Sequence, residues 1–379
     1  MKKTKLLYFV SEDWYFCSHR LSLAVAAKNA GYDVIVVTRV NNDGARILQA
    51  GLRLIPLNMS RRGMSPFEEF AVIWNLFLIC QKERPDIVHH VAIKPVLYGT
   101  IAALFFKVCI INALAGMGWL FTSETWRARA MRKLVLVFFR ILLPKTTVIV
   151  QNKDDERFVQ GLGCRQVHMI RGAGVDVDAI RPSPEPSGPC VVLLVGRMLR
   201  DKGVEEYVAA AQILKSRGRI VRMLLVGAPD DQNPASIPIN RLEQWKASGV
   251  IEWLGHRDDV PELLAKSHIV CLPSYREGVP KSLLEGLSAG RPLVATDVPG
   301  CREVVQDGIN GLLVPVKDSF SLANALDKLI LSSELRHKMG KASRDFAVTE
   351  FSSQRIEGET LNLYFQLTEN INIQQKDCR

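Results

Sequence analysis

The sequence predicts an α/β protein made of two similar halves, each a parallel sheet with helices between its strands. Short apolar runs alternate with longer helical patterns from the N-terminus onward, which is the order of parallel βαβ units. The segment 181-RPSPEPSGP-189 then interrupts the pattern with four prolines and one glycine, and the alternation begins again after it. At 379 residues the chain is long enough for two separate cores.

The first half contains six predicted strands, each a short apolar run bounded by polar or turn-forming residues. A helical stretch, 18-SHRLSLAVAAKNAG-31, follows the first strand and ends at Gly31, a typical C-terminal residue of helices. The predicted strands are KLLYFV (5–10), DVIVVT (33–38), LRLIPL (52–57), DIVHHV (86–91), VCIIN (108–112) and TVIVQN (147–152).

The second half repeats this order, with a helix predicted over 203–218. Its predicted strands are PCVVLLVGR (189–197), RMLLVG (222–227), VIEWLG (250–255), HIVCLP (268–273) and PLVATD (292–297). We therefore predict an N-terminal domain over 1–180, a linker over 181–189 and a C-terminal domain over 190–351. We also predict a C-terminal helix at about 352–379 that packs back on the N-terminal domain. The two domains would face each other across a cleft lined by the carboxyl ends of their strands.

Composition excludes several classes of protein. The chain is 47% hydrophobic and 23% charged, as ordinary globular proteins are. Its eight cysteines form no C-x-x-C pair, which favours reduced thiols in a cytoplasm over a disulfide framework. The five-residue apolar run near the N-terminus is too short for a signal peptide. Without a P-loop, a G-x-G-x-x-G after a strand or a metal-ligand spacing, we predict no metal and no other cofactor.

The net charge of +10 lies entirely in the first half: residues 1–185 contain 25 Lys/Arg and 15 Asp/Glu, and residues 186–379 contain 24 of each. Such a surplus suits an acidic substrate, nucleic acid or an anionic membrane surface. Nothing interleaves aromatic with basic residues as nucleic-acid-binding segments do, so no nucleic-acid partner is predicted. The segment 126-WRARAMRKLVLVFFRILLPK-145 instead predicts a helix at an anionic membrane interface. A core helix with a solvated basic end is the alternative.

The apolar segment Val96–Phe121 has the length of a transmembrane helix, which needs about 20 residues. However, Lys107 lies in its middle, and Gly116 and Gly118 lie near its end. A short helix, a buried strand and a loop are therefore predicted there, with a membrane span as the alternative.

Two loops at predicted strand ends carry candidate chemistry. The first, 196-GRMLRDKG-203, places Arg197 and Lys202 beside a helix start at Gly203. Free N–H groups and the helix dipole favour an anion there, and the two cations would neutralise it. This predicts a phosphate site, with an ordinary solvated basic loop as the alternative.

The second loop lies in 274-SYREGVPKSLLEGLSAGRP-292, where Glu277 is in a turn, a helix is predicted from about Lys281, and Glu285 is one turn inside that helix. Amides at the helix start would point outward as donors, since the first N–H groups of a helix have no partner within it. Two carboxylates around such an end suit a ligand with hydroxyls and phosphates, as in a nucleotide sugar. The residues between them complete the predicted donor site, and they are Gly278, Val279, Pro280, Lys281 and Ser282.

These motifs resemble those of the retaining nucleotide-sugar glycosyltransferases of family four, which have the GT-B architecture of two facing Rossmann-like domains. The resemblance covers nearly the whole chain. It rests on GRMLRDKG, on the E-x7-E pair Glu277/Glu285, on 297-DVPGCREVV-305 and on 307-DGINGLLVP-315. The variant REGVPKSLLE, with SHRLSLA and IRGAGVD, is similar to the branch that builds bacterial surface polysaccharides on lipid carriers.

The resemblance implies roles for the donor-site residues. Arg197 and Lys202 would hold the diphosphate, Glu285 the ribose hydroxyls, and Glu277 with the amides after it the donor sugar. Arg197, Lys202 and Glu277 would be the catalytic residues. The chain departs from many relatives in reading E-G-V-P instead of E-G-F-G, and in having 112-NALAGMG-118 where many carry a histidine.

The N-terminal domain offers candidate residues for the acceptor. His19 and Arg20 lie at a predicted helix start, and His89, His90 and Lys94 lie near a predicted strand end. They would contact an acceptor phosphate or the reacting hydroxyl, although a structural histidine is the alternative for either of the pair. The D-x-D of 176-DVD-178 does not follow a mid-domain strand, so it is interpreted as structural and not as a metal motif.

The resemblance implies a hexosyltransferase that moves a sugar from a UDP-linked donor to a polyprenyl-diphosphate-linked glycan. This glycan would belong to an O-antigen, capsule or exopolysaccharide. The enzyme would be cytoplasmic and peripheral at the inner face of the plasma membrane, with its N-terminal domain on anionic lipid. A nucleotide-sugar epimerase of the same fold and a non-catalytic scaffold subunit are the alternatives. The intact Glu277/Glu285 pair argues against the scaffold.

Overall fold

The computed structural model describes residues 3–60, 65–115 and 125–377. The chain forms two compact units. The first comprises Met1–Ala173 with Gln354–Arg379, and the second comprises Gly174–Ser353. Each unit is built on one parallel sheet.

The first unit contains a seven-stranded sheet in the order β3-β2-β1-β4-β5-β6-β7, with every neighbouring pair parallel. Six of these strands confirm the predicted ones. The last was not predicted, because it has only three, half-buried residues and therefore no apolar run. The strands are β1 (Lys5–Glu12), β2 (Asp33–Arg39), β3 (Arg53–Pro56), β4 (Ile87–Val91), β5 (Cys109–Leu114), β6 (Thr147–Val150) and β7 (Val167–Met169).

The predicted helix over 18–31 is two helices that meet at Arg20. The chain turns there because Arg20 has φ −133° and ψ −12°, outside the α-helical region. The helices are α1 (Asp13–His19), α2 (Leu21–Asn29), α3 (Gly44–Gln49), α4 (Pro66–Glu83), α5 (Ile93–Ala103), α6 (Trp126–Leu142) and α7 (Lys153–Gly161), and a 3-10 turn (Leu143–Lys145) extends α6.

The second unit contains a six-stranded parallel sheet in the order β10-β9-β8-β11-β12-β13. Its first five strands confirm the predicted ones, and the four-residue β13 was not predicted. The strands are β8 (Cys190–Val195), β9 (Val221–Val226), β10 (Glu252–Trp253), β11 (Ile269–Leu272), β12 (Leu293–Thr296) and β13 (Gly311–Val314).

The helices of the second unit begin with a 3-10 turn (Arg200–Lys202). The α-helices are α8 (Val204–Ser216), α9 (Ile239–Ala247), α10 (Val260–Ala265), α11 (Lys281–Ser288), α12 (Pro299–Val304), α13 (Ser319–Leu331) and α14 (Ser333–Glu350). The long C-terminal helix α15 (Ser353–Asp377) follows, and from Gln354 onward it belongs to the first unit.

The side chains of β1 point alternately to the two faces of the first sheet, and both faces are covered by helices. Leu6 and Tyr8 pack in a core with residues of α1, α2 and α15. Leu7 and Phe9 point to the opposite face and pack with residues of α4 and α5. The core beside α5 continues into α6 through Phe139. Helices α4, α5 and α6 therefore form one layer on this face, with α5 in contact with both neighbours.

The segment 181–189 lies in the second unit and does not join the two units. Glu185 pairs with Arg336 through two contacts of 2.8 Å, and Arg291 donates to the hydroxyl of Ser183 at 2.7 Å. The chain before it is also part of this unit, since Ile180 lies in its core. The linker prediction is therefore wrong. Prolines indicate an irregular chain, but they do not show whether that chain packs on its own domain.

Each sheet has one point where the order of its strands reverses. In the first sheet this switch lies between β1 and β4, and in the second it lies between β8 and β11. Open α/β sheets bind ligands outside the carboxyl ends of the strands at such a point. In the second unit the loops at this point are 196–203 and 273–280, the two loops singled out from the sequence.

The apolar segment that begins at Val96 contains the end of α5 and the strand β5, as predicted up to Ala115, and its remainder lies outside the described residues. In the part of the chain that the structure describes, no helix has the length and apolar character needed to cross a membrane. The seven cysteines within it are all free thiols.

Candidate active site

The loop after β8 is held close against the end of β11. Gly196 continues the ladder by donating its N–H to the carbonyl of Val226 at 2.9 Å. Gly203 has φ +70°, and a Cβ at this position would overlap the carbonyl oxygen of Pro273. Glycine satisfies both conditions, because it adopts positive φ without strain and has no Cβ. The two loops of the second switch point are thus in backbone contact.

The loop after β11 brings Glu277 to Lys202. The amide of Tyr275 donates to the carbonyl of Asp201 at 2.9 Å, which ties the two loops together. Lys202 Nζ then donates to Glu277 Oε1 at 2.5 Å, and the two side chains are only 21% and 10% exposed. A hydrogen bond between two ionised groups is short and strong in such surroundings. Two residues that are 75 positions apart in the chain therefore form one ion pair.

Arg197 has a carboxylate partner that the sequence analysis missed. Its Nη1 donates to Asp230 Oδ2 at 2.6 Å, and Asp230 lies in the loop after β9. That loop is tied to the first one by backbone bonds from Met198 to Ala228 (3.0 Å) and from Ile237 to Met198 (2.9 Å). The signal was present in 226-VGAPDD-231, since β9 neighbours β8 and its carboxyl end lies at the same edge.

Helix α11 begins at Lys281, as predicted, with Pro280 as its N-cap and no side-chain cap. Its first N–H groups have no acceptor within the helix, and the dipole makes this end electropositive. Glu285 lies one turn inside, 3.6 Å from Lys281 Nζ. Burial raises the pKa of Glu285, and Lys281 offsets part of that effect. This end of α11 thus combines an electropositive helix end with a nearly buried carboxyl group.

The motif 297-DVPGCREVV-305 supports the turn that carries Glu277. It forms the start of α12, where a Cβ at Gly300 would overlap the carbonyl oxygen of Gly278. Thr296 donates its hydroxyl to the carbonyl of Ser274, at the beginning of the same turn. Burial and the charge of Glu277 both raise the pKa of the Cys301 thiol, which lies under this turn. The backbone around Glu277 is therefore fixed from below by packing.

His89 and His90 lie inside β4 and not after its end, so this part of the sequence prediction is wrong. Both side chains are buried, and they occupy opposite faces of the sheet. His89 Nδ1 lies 2.6 Å from the hydroxyl of Tyr364, and His90 Nδ1 lies 2.9 Å from Asn112 Oδ1. Burial lowers the pKa of both, that of His90 to about 4. The error lay in assigning both histidines to the loop after the strand, although the strand predicted over 86–91 already contained them.

The other candidate acceptor residues differ in their surroundings. The His19 ring stacks on Tyr15, with 4.3 Å between ring centroids. Lys94 Nζ donates to Glu69 Oε1 at 2.8 Å. Arg20, at the junction of α1 and α2, is 5% exposed. The structure therefore places all three residues in the first unit, each in different surroundings.

The D-x-D motif forms a local turn in which Asp176 Oδ1 accepts the N–H groups of Asp178 and Ala179, at 3.0 and 2.9 Å. Across residues 3–60, 65–115 and 125–377, no group of three His, Cys, Asp or Glu side chains is placed to hold a metal ion.

Two family models match the chain. The model of glycosyl transferases group 1 matches residues 176–346, and the glycosyl transferase 4-like model matches residues 5–152. One match therefore falls in each unit, and together they cover every strand of the two sheets except β7.

Curated relatives align over most of their own length. The N,N'-diacetylbacillosaminyl-diphospho-undecaprenol alpha-1,3-N-acetylgalactosaminyltransferase of Campylobacter jejuni is 26% identical, over 93% of this chain and 96% of that protein. The UDP-Gal:alpha-D-GlcNAc-diphosphoundecaprenol alpha-1,3-galactosyltransferase of Escherichia coli is 23% identical, over 90% of this chain and 91% of that protein.

Solved structures share the fold. A glycosyltransferase from Rickettsia africae superposes with a TM-score of 0.78, at 20% identity, over 98% of this chain and 100% of that one. The sucrose-phosphate synthase of Thermosynechococcus elongatus superposes with a TM-score of 0.81, at 20% identity, over 97% of this chain and 100% of that one. These matches, with the two parallel sheets, confirm the predicted GT-B fold class.

Proposed function

Because the chain belongs to the glycosyltransferases of family four, we propose that it transfers a sugar, with retention of the anomeric configuration, from a UDP-linked donor to a polyprenyl-diphosphate-linked glycan. The family assignment confirms the prediction of a glycosyltransferase, and none of the matches supports the epimerase or the scaffold. The observation that supports the donor site best is the 2.5 Å ion pair of Lys202 and Glu277 at the second switch point.

The donor diphosphate is assigned to Lys202, Arg197 and the start of α11. Each cation has a carboxylate neighbour in the protein, so the site holds both cations in place without an unpaired buried charge. Cleavage of the bond between the sugar and the diphosphate leaves negative charge on the diphosphate. Cations that are already oriented stabilise this charge without further reorganisation. The departing phosphate then accepts the proton of the acceptor hydroxyl.

The two carboxylates take the hydroxyl groups of the donor. Glu277 has oxygen lone pairs beyond the one used by Lys202, so it accepts hydrogen bonds from the donor sugar as well. Glu285 accepts from the ribose hydroxyls. Because the binding groups are cations and amides, transfer needs no divalent metal and should continue in EDTA.

The acceptor is assigned from the relatives. The Campylobacter jejuni and Escherichia coli enzymes are both named for a sugar on diphospho-undecaprenol and for an alpha-1,3 linkage. We therefore assign this chain an undecaprenyl-diphosphate-linked sugar as its acceptor, in the biosynthesis of an O-antigen, capsule or exopolysaccharide. A lipid-linked acceptor of this kind supports a location of the enzyme at the inner face of the plasma membrane.

Helix α6 supports contact with that membrane surface. Its inward face packs in the core through Val135 and Phe139, while Trp126 on the outer face is 71% exposed and Ile141 is 54% exposed. Arg127, Arg129, Lys133 and Arg140 are exposed on the same helix. The predicted alternative of a core helix thus describes only one of its faces. An apolar stripe flanked by basic residues suits an interface rich in anionic lipid.

Helix α4 extends this surface. Phe67, Phe70 and Trp74 are 86%, 65% and 51% exposed along one face of it. Helices of parallel α/β units run opposite to the strands, so α4 and α6 both begin at the carboxyl edge of the sheet. Phe67 and Trp126 therefore place exposed aromatic rings near that edge. Aromatic side chains of this kind favour the boundary between headgroups and acyl chains.

The transfer reaction tests the proposal directly. The purified protein is screened for binding to a panel of nucleotide sugars. The donors that bind are then incubated in EDTA with N-acetylhexosaminyl-diphospho-undecaprenol. We expect one added hexose by mass spectrometry and an axial anomeric linkage by NMR. An epimerised nucleotide sugar, or released free sugar without a lipid product, would contradict the assignment.

Vesicle sedimentation tests the membrane surface. We expect the protein to bind vesicles with anionic lipid at low salt and to be released by high salt without detergent. Changing Arg127, Arg129, Arg132 and Lys133 to Glu should abolish binding and preserve nucleotide affinity. The control changes four exposed lysines of the second unit to Glu, an equal change in net charge, and these are Lys215, Lys246, Lys338 and Lys341. Equal loss in both variants would show that net charge alone is responsible.

A further inference from the structure

We propose that Arg20 and His89 form a second anion site, in the first unit, that binds a phosphate group of a substrate. This inference rests on the proposed function for the source of the phosphate, which is the nucleotide donor or the lipid diphosphate. It does not involve the residues assigned above to the donor.

Arg20 is a buried cation without a partner among the described residues. Its side chain is 5% exposed, and its guanidinium makes no hydrogen bond and no ion pair with any residue that the structure describes. The two other buried arginines of the described chain are satisfied: Arg291 donates to the carbonyls of Leu264 and Ala265, and Arg336 pairs with Glu185. Burying an arginine without a carboxylate or other acceptor is costly. An anionic ligand would remove that cost.

His89 provides a second unused donor beside Arg20. Its side chain is 1% exposed, and its Nε2 is buried without a hydrogen-bond partner. Its Nδ1 lies 2.6 Å from the hydroxyl of Tyr364, which in turn lies 2.7 Å from that of Tyr8. If Tyr8 donates to Tyr364 and Tyr364 donates to His89, the neutral imidazole carries its proton on Nε2. In that arrangement the Nε2–H of His89 can donate to an anion.

Arg20 and His89 lie close enough to interact electrostatically. Burial lowers the pKa of His89 most, and the charge of Arg20 lowers it further. The same charge acts on Tyr8 and Tyr364. The carboxylate of Glu357 also acts on Tyr8. The charge of Arg20 is thus felt by all three of these aromatic side chains.

The position in the fold fits a ligand site. Arg20 follows β1 through α1, and His89 pairs with Tyr8 of β1 across the switch point of the first sheet. Ala92, directly after β4, has φ +80°, an uncommon conformation for a residue other than glycine. Strained residues of this kind often occur at binding sites. A planar guanidinium that offers two parallel N–H groups matches the oxygens of a phosphate.

The experiment separates this site from the donor site. In an Arg197→Ala, Lys202→Ala background, which silences the donor site, we expect pyrophosphate to raise the Tm of the protein. Adding Arg20→Met should abolish that shift, because the cation is removed. It should also raise the Tm of the ligand-free protein, because an unpaired buried charge is removed. Arg46→Met, at an exposed arginine paired with Asp43, is the control and should keep the pyrophosphate shift.

Two probes identify the source of the phosphate. UDP and farnesyl diphosphate are titrated in the same background, with and without Arg20→Met. We expect about 10- to 100-fold weaker binding for the probe that uses this site, as when a charge-assisted hydrogen bond is lost. Arg20→Lys and His89→Gln provide milder variants in case Arg20→Met fails to fold, and each should weaken the same probe.

An unchanged pyrophosphate shift in the Arg20 and His89 variants would overturn the anion site, and it would leave the proposed transferase intact if the wild-type protein forms lipid-linked product. Conversely, phosphate binding that depends on Arg20 would uphold the site even if no transfer product were found.

Discussion

The cations at the two switch points differ in how their charge is balanced. In the second unit, Lys202 and Arg197 each contact a carboxylate, at 2.5 and 2.6 Å. In the first unit, Arg20 is more deeply buried and has no such partner among the described residues. The paired cations are oriented before a ligand arrives, at little electrostatic cost. The cation without a partner among the described residues is a cost to the free protein that an anionic ligand would remove.

The largest expected effect concerns the paired cations. Lys202→Ala should lower turnover by about 100- to 1000-fold, since one oriented donor to the developing charge is lost. Thermal unfolding of the same variant should show an intact fold. The control is Lys215→Ala, at an exposed lysine near the end of α8, which should keep wild-type turnover. Equal turnover in Lys202→Ala and the control would remove Lys202 from catalysis.

Buried histidines differ from the buried Arg20. A histidine can lose its proton and so avoid an unpaired charge, whereas an arginine stays charged. The pKa of His90 is about 4 in the folded protein, against about 6.5 in the unfolded chain. The unfolded chain therefore binds this proton first as the pH falls. The contribution of His90 to the free energy of unfolding is fully present above about pH 6.5. About 3 kcal/mol of it is lost as the pH falls to 4.

Urea unfolding at several pH values checks this, with His90→Gln as the reference. The wild-type protein should lose more stability than the variant between pH 6.5 and 4.5. Parallel pH profiles for the two proteins would show that His90 does not bind a proton on unfolding.

The two glutamates of the donor site should have separable effects. Glu285→Ala should weaken the binding of both free UDP and the donor by about tenfold, because one hydrogen bond to a charged group is lost. Glu277→Ala should leave the affinity for UDP nearly unchanged and lower turnover, because its ligand is the sugar. Calorimetry and initial rates measure the two effects. The reverse pattern would exchange the roles of Glu277 and Glu285.

The smallest expected effect tests whether removing the partner of Arg197 and removing Arg20 itself change stability in opposite directions. Asp230→Asn leaves Arg197 without its carboxylate and should destabilise the ligand-free protein by about 0.5–1 kcal/mol, a modest value because Arg197 is 40% exposed. Arg20→Met should change stability in the opposite direction. Asp231→Asn, at the exposed neighbouring residue, is the control and should have no effect. Stabilisation by Asp230→Asn would mean that the two cations are not balanced differently.

Much of this architecture is readable from the sequence, because apolar runs and helix signals are local. Eleven of the strands and the start of α11 at Lys281 were predicted in this way. Short strands such as β7 lack enough residues to form a pattern. The contact of the buried His89 with Tyr364 of α15 joins distant parts of the chain, which no local pattern records.

The candidate site was predictable as two loops but not as a set of pairs. The rule for carboxyl ends of strands found Arg197, Lys202 and Glu277 because each lies near a strand end. It did not say that Lys202 would contact Glu277, or that Arg197 would contact Asp230, since these contacts join distant parts of the chain. Ion pairs of this kind become visible only when the order of the strands is known.

The central claim is that the paired cations of the second unit hold the donor diphosphate. Calorimetric titration of UDP and of UMP into the wild-type protein and into Lys202→Ala tests it most directly, because the two nucleotides differ by one phosphate. We expect Lys202→Ala to weaken the binding of UDP by about 10- to 100-fold and to change the binding of UMP by much less. An equal loss for both nucleotides, or no loss for UDP, would contradict it.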